Sequence, residues 1–413
     1  MALRISNQTI FNTGVSQLNT MQSALQKAQL QLSTGRRVLT PSDDPVASAR
    51  ALEVTQSQTM NAQYATNRSN ARSSLALVDQ ALGTSDDLLQ DIKQLAINAG
   101  NGGLTQQDRL ALANELEGRL DDLVGQANST DGTGGYLFSG YKTGTQPFAR
   151  SATGATYAGD QGVRDLQVAS SRKLAISASG SSVFEEVITG NGTFLTGADA
   201  NNGSRGGTGI ISPGSVTNAA ALTGHKYTID FSVVPATPGV PAVTTYTVND
   251  VTAGTQVATG VPYKSGDPIA FDGMQMDIKG DPADLDQFTV DPSQNQSVFT
   301  TIQSLVTALR ANNTGPTGGA QLTNQLNQAN QNLTNALDKV LSVRATVGAG
   351  MKELDHLDSA GDDLNIQYAS TIADLVEADP VETISRFSQL QINLEAAQKS
   401  YKALSGLSLF NFI

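Results

Sequence analysis

The sequence predicts an α+β protein in which the N- and C-terminal segments form a long, coiled-coil-like helical rod with an inserted β-rich domain. Near both ends of the chain, apolar residues recur every three or four positions, which indicates amphipathic helices. The middle of the chain has short alternating runs between Gly, Pro, Asn and Asp, which is typical of strands and turns. Only 39% of the residues are hydrophobic and none is Trp, so the apolar surface suits narrow helical seams better than a bulky interior.

The first predicted helix ends at Gly35, and a turn and a new helix start follow it. Its seam, the line of apolar residues along one face, has spacings of three and four after a gap at Gly14. The seam residues are Phe11, Leu18, Met21, Leu25, Ala28 and Leu32. In the string Thr40-Pro-Ser-Asp-Asp-Pro45, Ser42 or Asp43 can cap free backbone N–H groups, and Pro45 suits an early helical position.

Two more helices are predicted before the β-rich part. The second extends from about Val46 to Ala99, and a regular seam occupies its later half. That seam consists of Leu75, Val78, Leu82, Ser85, Leu89, Ile92, Ala96 and Ala99. A third helix starts at Thr105, because Asp108 follows three residues later as in a capping box. Its apolar stripe includes Ala113, Leu116, Leu120 and Leu123.

Strand patterns fill about 129–292, with alternating runs at 226–234, 244–248 and 274–278. Helical periodicity returns at about 294–311 and is clearest after the Gly315-Pro-Thr-Gly-Gly319 segment. The seam there consists of Leu322, Leu326, Ala329, Leu333, Ala336, Val340, Val343, Val347, Met351 and Leu354. A last helix, interrupted at Asp379-Pro380, carries Phe387, Leu390, Leu394, Ala397, Tyr401 and Leu404.

These patterns predict three domains, two of them built from both ends of the chain. A terminal helical domain comprises 1–40 plus 380–413 and depends on assembly, because its seams contain Ala and Gly where a stable coiled coil prefers large residues. A helical rod domain comprises 41–135 plus 294–379. An outer β-rich domain comprises 136–293.

Composition excludes several classes of function. A formal net charge of −12 without a basic block argues against nucleic acid and against an anionic membrane surface. With no Cys, disulfides, Cys-bound zinc and thiol nucleophiles are excluded. His225 and His356 belong to no metal or catalytic motif, so we expect no metal, no cofactor and no enzyme activity. We also expect neither a membrane span nor a cleaved signal peptide.

The connection between the first two predicted helices resembles a sequence signature of a known family. The string Leu32-Ser-Thr-Gly-Arg-Arg-Val-Leu-Thr-Pro-Ser-Asp-Asp-Pro-Val46 closely resembles the N-terminal signature of the bacterial flagellin superfamily. The Arg4-Ile-Ser6 opening is also typical of these proteins. At the other end, Val347-Gly-Ala-Gly-Met-Lys-Glu-Leu354 and Ala378-Asp-Pro380 resemble the C-terminal helices of that superfamily, in the right order.

Within the superfamily, three segments resemble the subunits that join the hook to the filament. Tyr136-Leu-Phe-Ser-Gly140 resembles a strand that leaves their helical core, and the tail Leu404-Ser-Gly-Leu-Ser-Leu-Phe-Asn-Phe-Ile413 resembles their C-terminal ending. The segment 263–290 resembles a small β module of hook-associated proteins, although Leu285-Asp286 stands where Gly-Asp is usual. The resemblance is strong over roughly 200 residues at the ends and slight in 150–225.

The resemblance implies a structural axial protein of the extracellular bacterial flagellum, a junction layer between hook and filament, exported by the flagellar type III secretion route. Its expected partners are other copies of itself in a ring-like layer, a neighbouring hook-associated protein, flagellin on the filament side and an export chaperone. The alternatives are a filament flagellin and, more remotely, a secreted coiled-coil stalk with a glycan-binding or hydrolase β domain.

Under this interpretation, the functional residues lie in helical seams, in the turn at 36–44 and in the tail, where neighbouring subunits meet. The predicted assembly residues are Leu18, Met21, Leu25, Leu32, Arg36, Asp43, Asp44, Phe387, Leu390, Leu394, Tyr401, Leu404, Leu407 and Phe410.

Overall fold

In a computed structural model, which describes residues 7–239 and 241–406, long helices occupy both ends of the chain and strands occupy the middle. The predicted fold class is confirmed. The helices are α1 (Asn7–Thr34), α2 (Pro45–Ala99), α3 (Gln106–Ala127), the short α4 (Asn202–Arg205), α5 (Val298–Arg310), α6 (Gly315–Val376) and α7 (Pro380–Gly406).

The strands are short and all of their pairings are antiparallel. They are β1 (Phe148–Ser151), β2 (Gly154–Tyr157), β3 (Asp165–Ala169), β4 (Arg172–Ala175), β5 (Val187–Ile188), β6 (Phe194–Ala198), β7 (Ile210–Ile211), β8 (Ser215–Val216), β9 (Tyr227–Val234), β10 (Val243–Asp250), β11 (Thr255–Pro262), β12 (Pro268–Phe271), β13 (Met274–Lys279), β14 (Gln287–Pro292) and β15 (Asn295–Gln296).

The largest sheet has the strand order β11-β10-β9-β14-β6, and a second sheet pairs β13 with β12, β7 and β8. The three alternating runs identified in the sequence become β9, β10 and β13, so those predictions are confirmed. Their inward side chains form one buried core between the two sheets. That core contains Phe194, Ile211, Tyr227, Ile229, Phe231, Val248, Ile269, Phe271, Met274, Met276, Ile278, Phe288 and Val290.

The segment Tyr136–Gly140 is not a strand, which corrects the expectation drawn from the resemblance. It consists of turns, with a single bridge between Thr130 and Tyr136. Gly140 has a φ of +72°, which interrupts an extended conformation. Phe138 is fully buried. The segment therefore contributes a buried side chain to the core and does not pair as a strand of a sheet.

The chain divides into two compact units. We call residues 1–67 with 356–413 the terminal unit, and residues 68–355 the central unit. Helices α2 and α6 contribute residues to both. The predicted division into three domains stays a prediction.

In the central unit the helical seams are buried as their periodicity predicts. Leu82, Leu89 and Ile92 of α2 are completely inaccessible, and so is Leu333 of α6. Helix α3 begins with the predicted capping box, in which the Thr105 side chain accepts a hydrogen bond from the backbone N–H of Asp108 and the Asp108 carboxylate accepts one from the backbone N–H of Thr105. These seams give the central unit a continuous helical core.

An aromatic cluster connects the helices of the central unit to its first strands. Phe148 lies at its centre, with ring centroids 5.0 Å from Tyr157 and Phe299 and 5.6 Å from Phe184. Phe138 and Phe184 meet edge to face at 5.5 Å. The cluster holds β1 and β2 against α5.

Asparagine side chains of α6 form hydrogen bonds with backbone groups of the β-rich part. Asn324 accepts a hydrogen bond from the N–H of Ile211 and donates one to the carbonyl of Gly209, at 2.9 and 3.0 Å. Further along α6, Asn332 accepts from the N–H of Gly190, and Asn335 donates to the carbonyl of the same residue. These bonds satisfy backbone groups within β7 and next to β5, β6 and β7.

Candidate assembly surface

The terminal unit contains α1 and α7, which pack against each other as an antiparallel pair. The rings of Phe11 and Tyr401 lie 5.6 Å apart at one end of the pair. Gly14 faces the same ring so closely that a Cβ there would lie 2.8 Å from two of its carbons. The gap at Gly14 in the sequence pattern therefore accommodates Tyr401.

The predicted seam residues of α1 and α7 are only partly covered. Leu18, Met21, Leu25, Phe387, Leu390, Leu394 and Tyr401 are half-buried, and Leu32 is exposed. The side chain of Leu404 and the residues Leu407 and Phe410 lie outside the part of the chain that is described. These helices therefore leave apolar surface accessible in the single chain. Their role in assembly stays a prediction.

The turn between α1 and α2 is held by its two aspartates. The Asp43 carboxylate binds Lys27 Nζ at 2.5 Å and accepts hydrogen bonds from the N–H groups of Leu39 and Thr40, each at 3.0 Å. Asp44 Oδ1 accepts from the N–H of Ala47 at 3.0 Å and so caps α2. The cap is therefore Asp44, whereas the sequence suggested Ser42 or Asp43. Asp43 closes the preceding turn instead.

Arg37 connects this turn to the end of α6. Its guanidinium binds Asp44 at 3.2 Å and donates a hydrogen bond to the carbonyl of Leu375 at 2.7 Å, while its backbone N–H donates to the carbonyl of Val376. Below the turn lies a small core of Val38, Ala47, Ala51 and Val376. Arg36 forms a backbone bridge with Glu377, and its own side chain is exposed.

The electrostatics of the turn favour ionised carboxylates. The hydrogen bond from Lys27, together with those from the backbone of Thr40 and Leu39, lowers the pKa of Asp43 to about 2. The backbone N–H of Ala47 and then the Arg37 side chain lower the pKa of Asp44 as well. Both aspartates therefore carry full charge at neutral pH. The turn is pre-formed in the single chain.

A second apolar stripe lies on the face of α7 away from α1, and the sequence analysis missed it. It consists of Val381, Ile384 and Ile392, which are 77%, 50% and 66% exposed. Their spacings of three and eight place them on one helix face. The spacing of these residues could have predicted the stripe, but the seam of α7 contains more apolar residues and gave the clearer pattern. Val46, at the start of α2, is also 77% exposed.

His225 Nδ1 lies 2.6 Å from Asp250 in the β-rich part, where the pair holds the end of β10. Among the described residues, no group of three or more His, Cys, Asp or Glu side chains is arranged to hold a metal ion. Within the same residues, no helix is long and apolar enough to cross a membrane.

The chain is similar to known flagellar proteins along nearly its whole length. Residues 5–143 match the bacterial flagellin N-terminal helical region. Flagellar hook-associated protein 3 of Salmonella typhimurium is 28% identical over 410 residues, which cover 99% of both chains. A flagellin of Salmonella budapest is 24% identical over 331 residues, covering 76% of this chain and 63% of its own.

Solved structures define the family more narrowly. The flagellar junction protein FlgL of Legionella pneumophila is 31% identical with a TM-score of 0.71, and the alignment covers 79% of this chain and all of that one. The chain therefore belongs to the family of flagellar hook-associated protein 3.

Proposed function

We propose that this protein is a structural subunit of the bacterial flagellum that joins the hook to the filament as a junction layer. The observation that carries the proposal is the apolar surface left open on the terminal unit of a chain that aligns end to end with hook-associated protein 3. Exposed apolar patches of this kind mark sites that another protein covers. The flagellin alternative is supported by a shorter and weaker alignment.

The proposed partners follow from a position between two different structures. Copies of the chain form a ring-like layer, a hook-associated protein contacts it on the hook side, and flagellin contacts it on the filament side. An export chaperone binds it before assembly. The function is mechanical rather than enzymatic, and it needs no cofactor, nucleic acid or membrane.

We further propose that the protein acts outside the cell after export through the flagellar secretion channel. The half-buried seams of α1 and α7 support this, because a marginal helix pair unfolds at low cost and orders again when neighbours cover it.

A deletion strain tests the function. We expect hooks without filaments and flagellin shed into the medium, and immunogold labelling of a complemented strain should mark one point between hook and filament. Labelling along the whole filament would show that the protein is a filament flagellin.

The C-terminal tail offers a second test. A truncation of residues 404–413 removes Leu404, Leu407 and Phe410, each worth about 1.5–3 kcal/mol if fully buried in an assembly. We expect the truncated chain to be secreted but absent from the hook tip. Normal filament assembly by the truncated chain would contradict the proposed role of the tail.

A further inference from the structure

Two surfaces of this chain carry opposite charges and both expose apolar side chains, one on the terminal unit and one on the central unit. The first, which we call the turn surface, consists of Arg36, Val46 and Arg50. The second is a groove between the end of α2 and the start of α3, which we call the α2–α3 groove. Its apolar lining includes Ile97, Leu104 and Leu112.

The turn surface combines an exposed apolar side chain with free cations. Val46 and Val381 have the highest exposure of all large apolar side chains in the described structure. Arg50 follows Val46 by one helical turn on the same face of α2. The aspartates of the turn are paired with Lys27 and Arg37, whereas neither Arg36 nor Arg50 has a side-chain partner among the residues that the structure describes. These two cations are therefore available to a neighbour.

The α2–α3 groove has the opposite character. It has a volume of 670 Å³ and a partly exposed apolar lining, in which Ile97 is 51% accessible. Asp108 and Glu115 of α3 also line it. The hydrogen bonds from Thr105 lower the pKa of Asp108, so that this side chain is charged at neutral pH. Within the described ranges, Glu115 has no cationic partner, so its charge is free for a neighbour.

We infer that the turn surface of one copy docks into the α2–α3 groove of the next copy, with Val46 against the apolar lining and Arg50 beside Glu115. A second copy is the favoured occupant because one chain carries both surfaces. The turn surface is apolar and cationic, and the α2–α3 groove is apolar and anionic. Such a contact joins two different surfaces, so it repeats from copy to copy, and it generates a ring where the rotation between copies closes and an open helical assembly where it does not. The inference rests on the proposed function, for which a repeating layer is needed.

Crosslinking tests this contact directly, because the natural chain has no Cys. Flagella are isolated from a strain whose only copy carries Val46→Cys and Ile97→Cys, and they are treated with a short bis-maleimide. We expect dimers and higher multimers of this chain on a denaturing gel. Either single variant should give monomers only, because each half of the contact uses a different residue.

A matched control uses Val234→Cys with Ile97→Cys. Val234 is 62% exposed, comparable to Val46, but lies at the end of β9, outside the turn surface and outside the terminal unit. Multimers with this control but not with the test pair would overturn the inference, and so would multimers from Val46→Cys alone. Crosslinking of the test pair to flagellin or to a hook protein would identify a different occupant. Monomers only, from flagella that contain the variant, would also overturn it.

Charge reversal provides an independent measurement. Arg50→Glu or Glu115→Arg alone should reduce the amount of this protein in isolated flagella several-fold, and the double variant should restore it. Failure of the double variant to recover would contradict the pairing. Immunogold labelling at one point between hook and filament reports the proposed function separately, so the contact can fail while the function stands.

Discussion

The two units differ in how they bury apolar residues. Among the described residues of the central unit, nine aromatic side chains are buried, together with the helical seams of α2, α3 and α6. In the described part of the terminal unit, the buried apolar residues are small: Ala28, Val38, Ala47, Ala51 and Val376. Half of the exposed large apolar side chains that the structure describes lie in the terminal unit, although fewer than a third of the residues of the chain do. The central unit thus buries a large apolar core, whereas the described part of the terminal unit leaves apolar surface exposed in the single chain.

Proteolysis of the soluble monomer should show the largest contrast. We expect cleavage to remove about the first 40 and last 40 residues and to stop at a resistant core, because marginal helices open more often than a packed core. Mass spectrometry of the fragments gives the boundaries. Equal hydrogen-exchange protection of α1, α7 and the central helices in the monomer would show that the ends fold before assembly.

Two matched Phe→Ala variants measure the same contrast in energy. Phe184→Ala removes a fully buried ring from the aromatic cluster and should lower the free energy of unfolding by about 3–5 kcal/mol. Phe387→Ala removes a half-buried ring from α7 and should cost the monomer about 1 kcal/mol. Chemical denaturation of both variants checks the values. Equal losses would mean that the two units are packed alike.

Two glycines should respond to alanine with opposite signs. Gly118 in α3 faces open space, so Gly118→Ala should stabilise the protein by about 0.5–1 kcal/mol. Gly14→Ala places a Cβ 2.8 Å from the Tyr401 ring, so the ring must move and the α1–α7 pair should lose about 1 kcal/mol or more. Thermal unfolding compares the two variants. A stabilising Gly14→Ala would show that Tyr401 is loosely held in the monomer.

Local and periodic signals of the sequence predicted most of the fold. The α3 cap at Thr105 and the seam of α2 needed only neighbouring residues, and both are confirmed. The contacts of Asn324 with strand edges depend on residues more than 100 positions away, which no local pattern encodes. The Tyr136–Gly140 strand failed because tertiary burial of Phe138 outweighed its extended propensity.

The candidate assembly surface was only partly predictable. Periodicity located the seam of α7, but the structure shows that α1 covers part of that seam and that a second stripe at Val381, Ile384 and Ile392 lies opposite. The sequence suggested Ser42 or Asp43 as a cap, whereas the backbone path of the turn gives that role to Asp44. Which face is free depends on helix pairing, and periodicity does not determine helix pairing.

Leu285 should give a smaller effect within the central unit. Its φ is +67° and its side chain is 69% exposed. A left-handed conformation costs an L-residue roughly 1–2 kcal/mol, and the higher chain entropy of Gly offsets about half of that. Leu285→Gly should therefore raise the free energy of unfolding by about 0.5–1 kcal/mol. Leu285→Ala, which keeps the Cβ, should give no gain.

The smallest expected effect is the titration of Asp43 in the terminal unit. Its pKa in the folded protein is about 2, below the usual 3.8, so its contribution to the stability of the turn is complete above 3.8 and is lost as the pH falls from 3.8 to about 2. Carboxyl NMR should record this pKa directly. In Lys27→Met the largest cause is gone, and the pKa of Asp43 should rise toward 3.8. Asp108 in the central unit, whose pKa is lowered by Thr105, should titrate as before. An unchanged Asp43 pKa in that variant would mean that the backbone N–H groups of Leu39 and Thr40 hold the turn without Lys27.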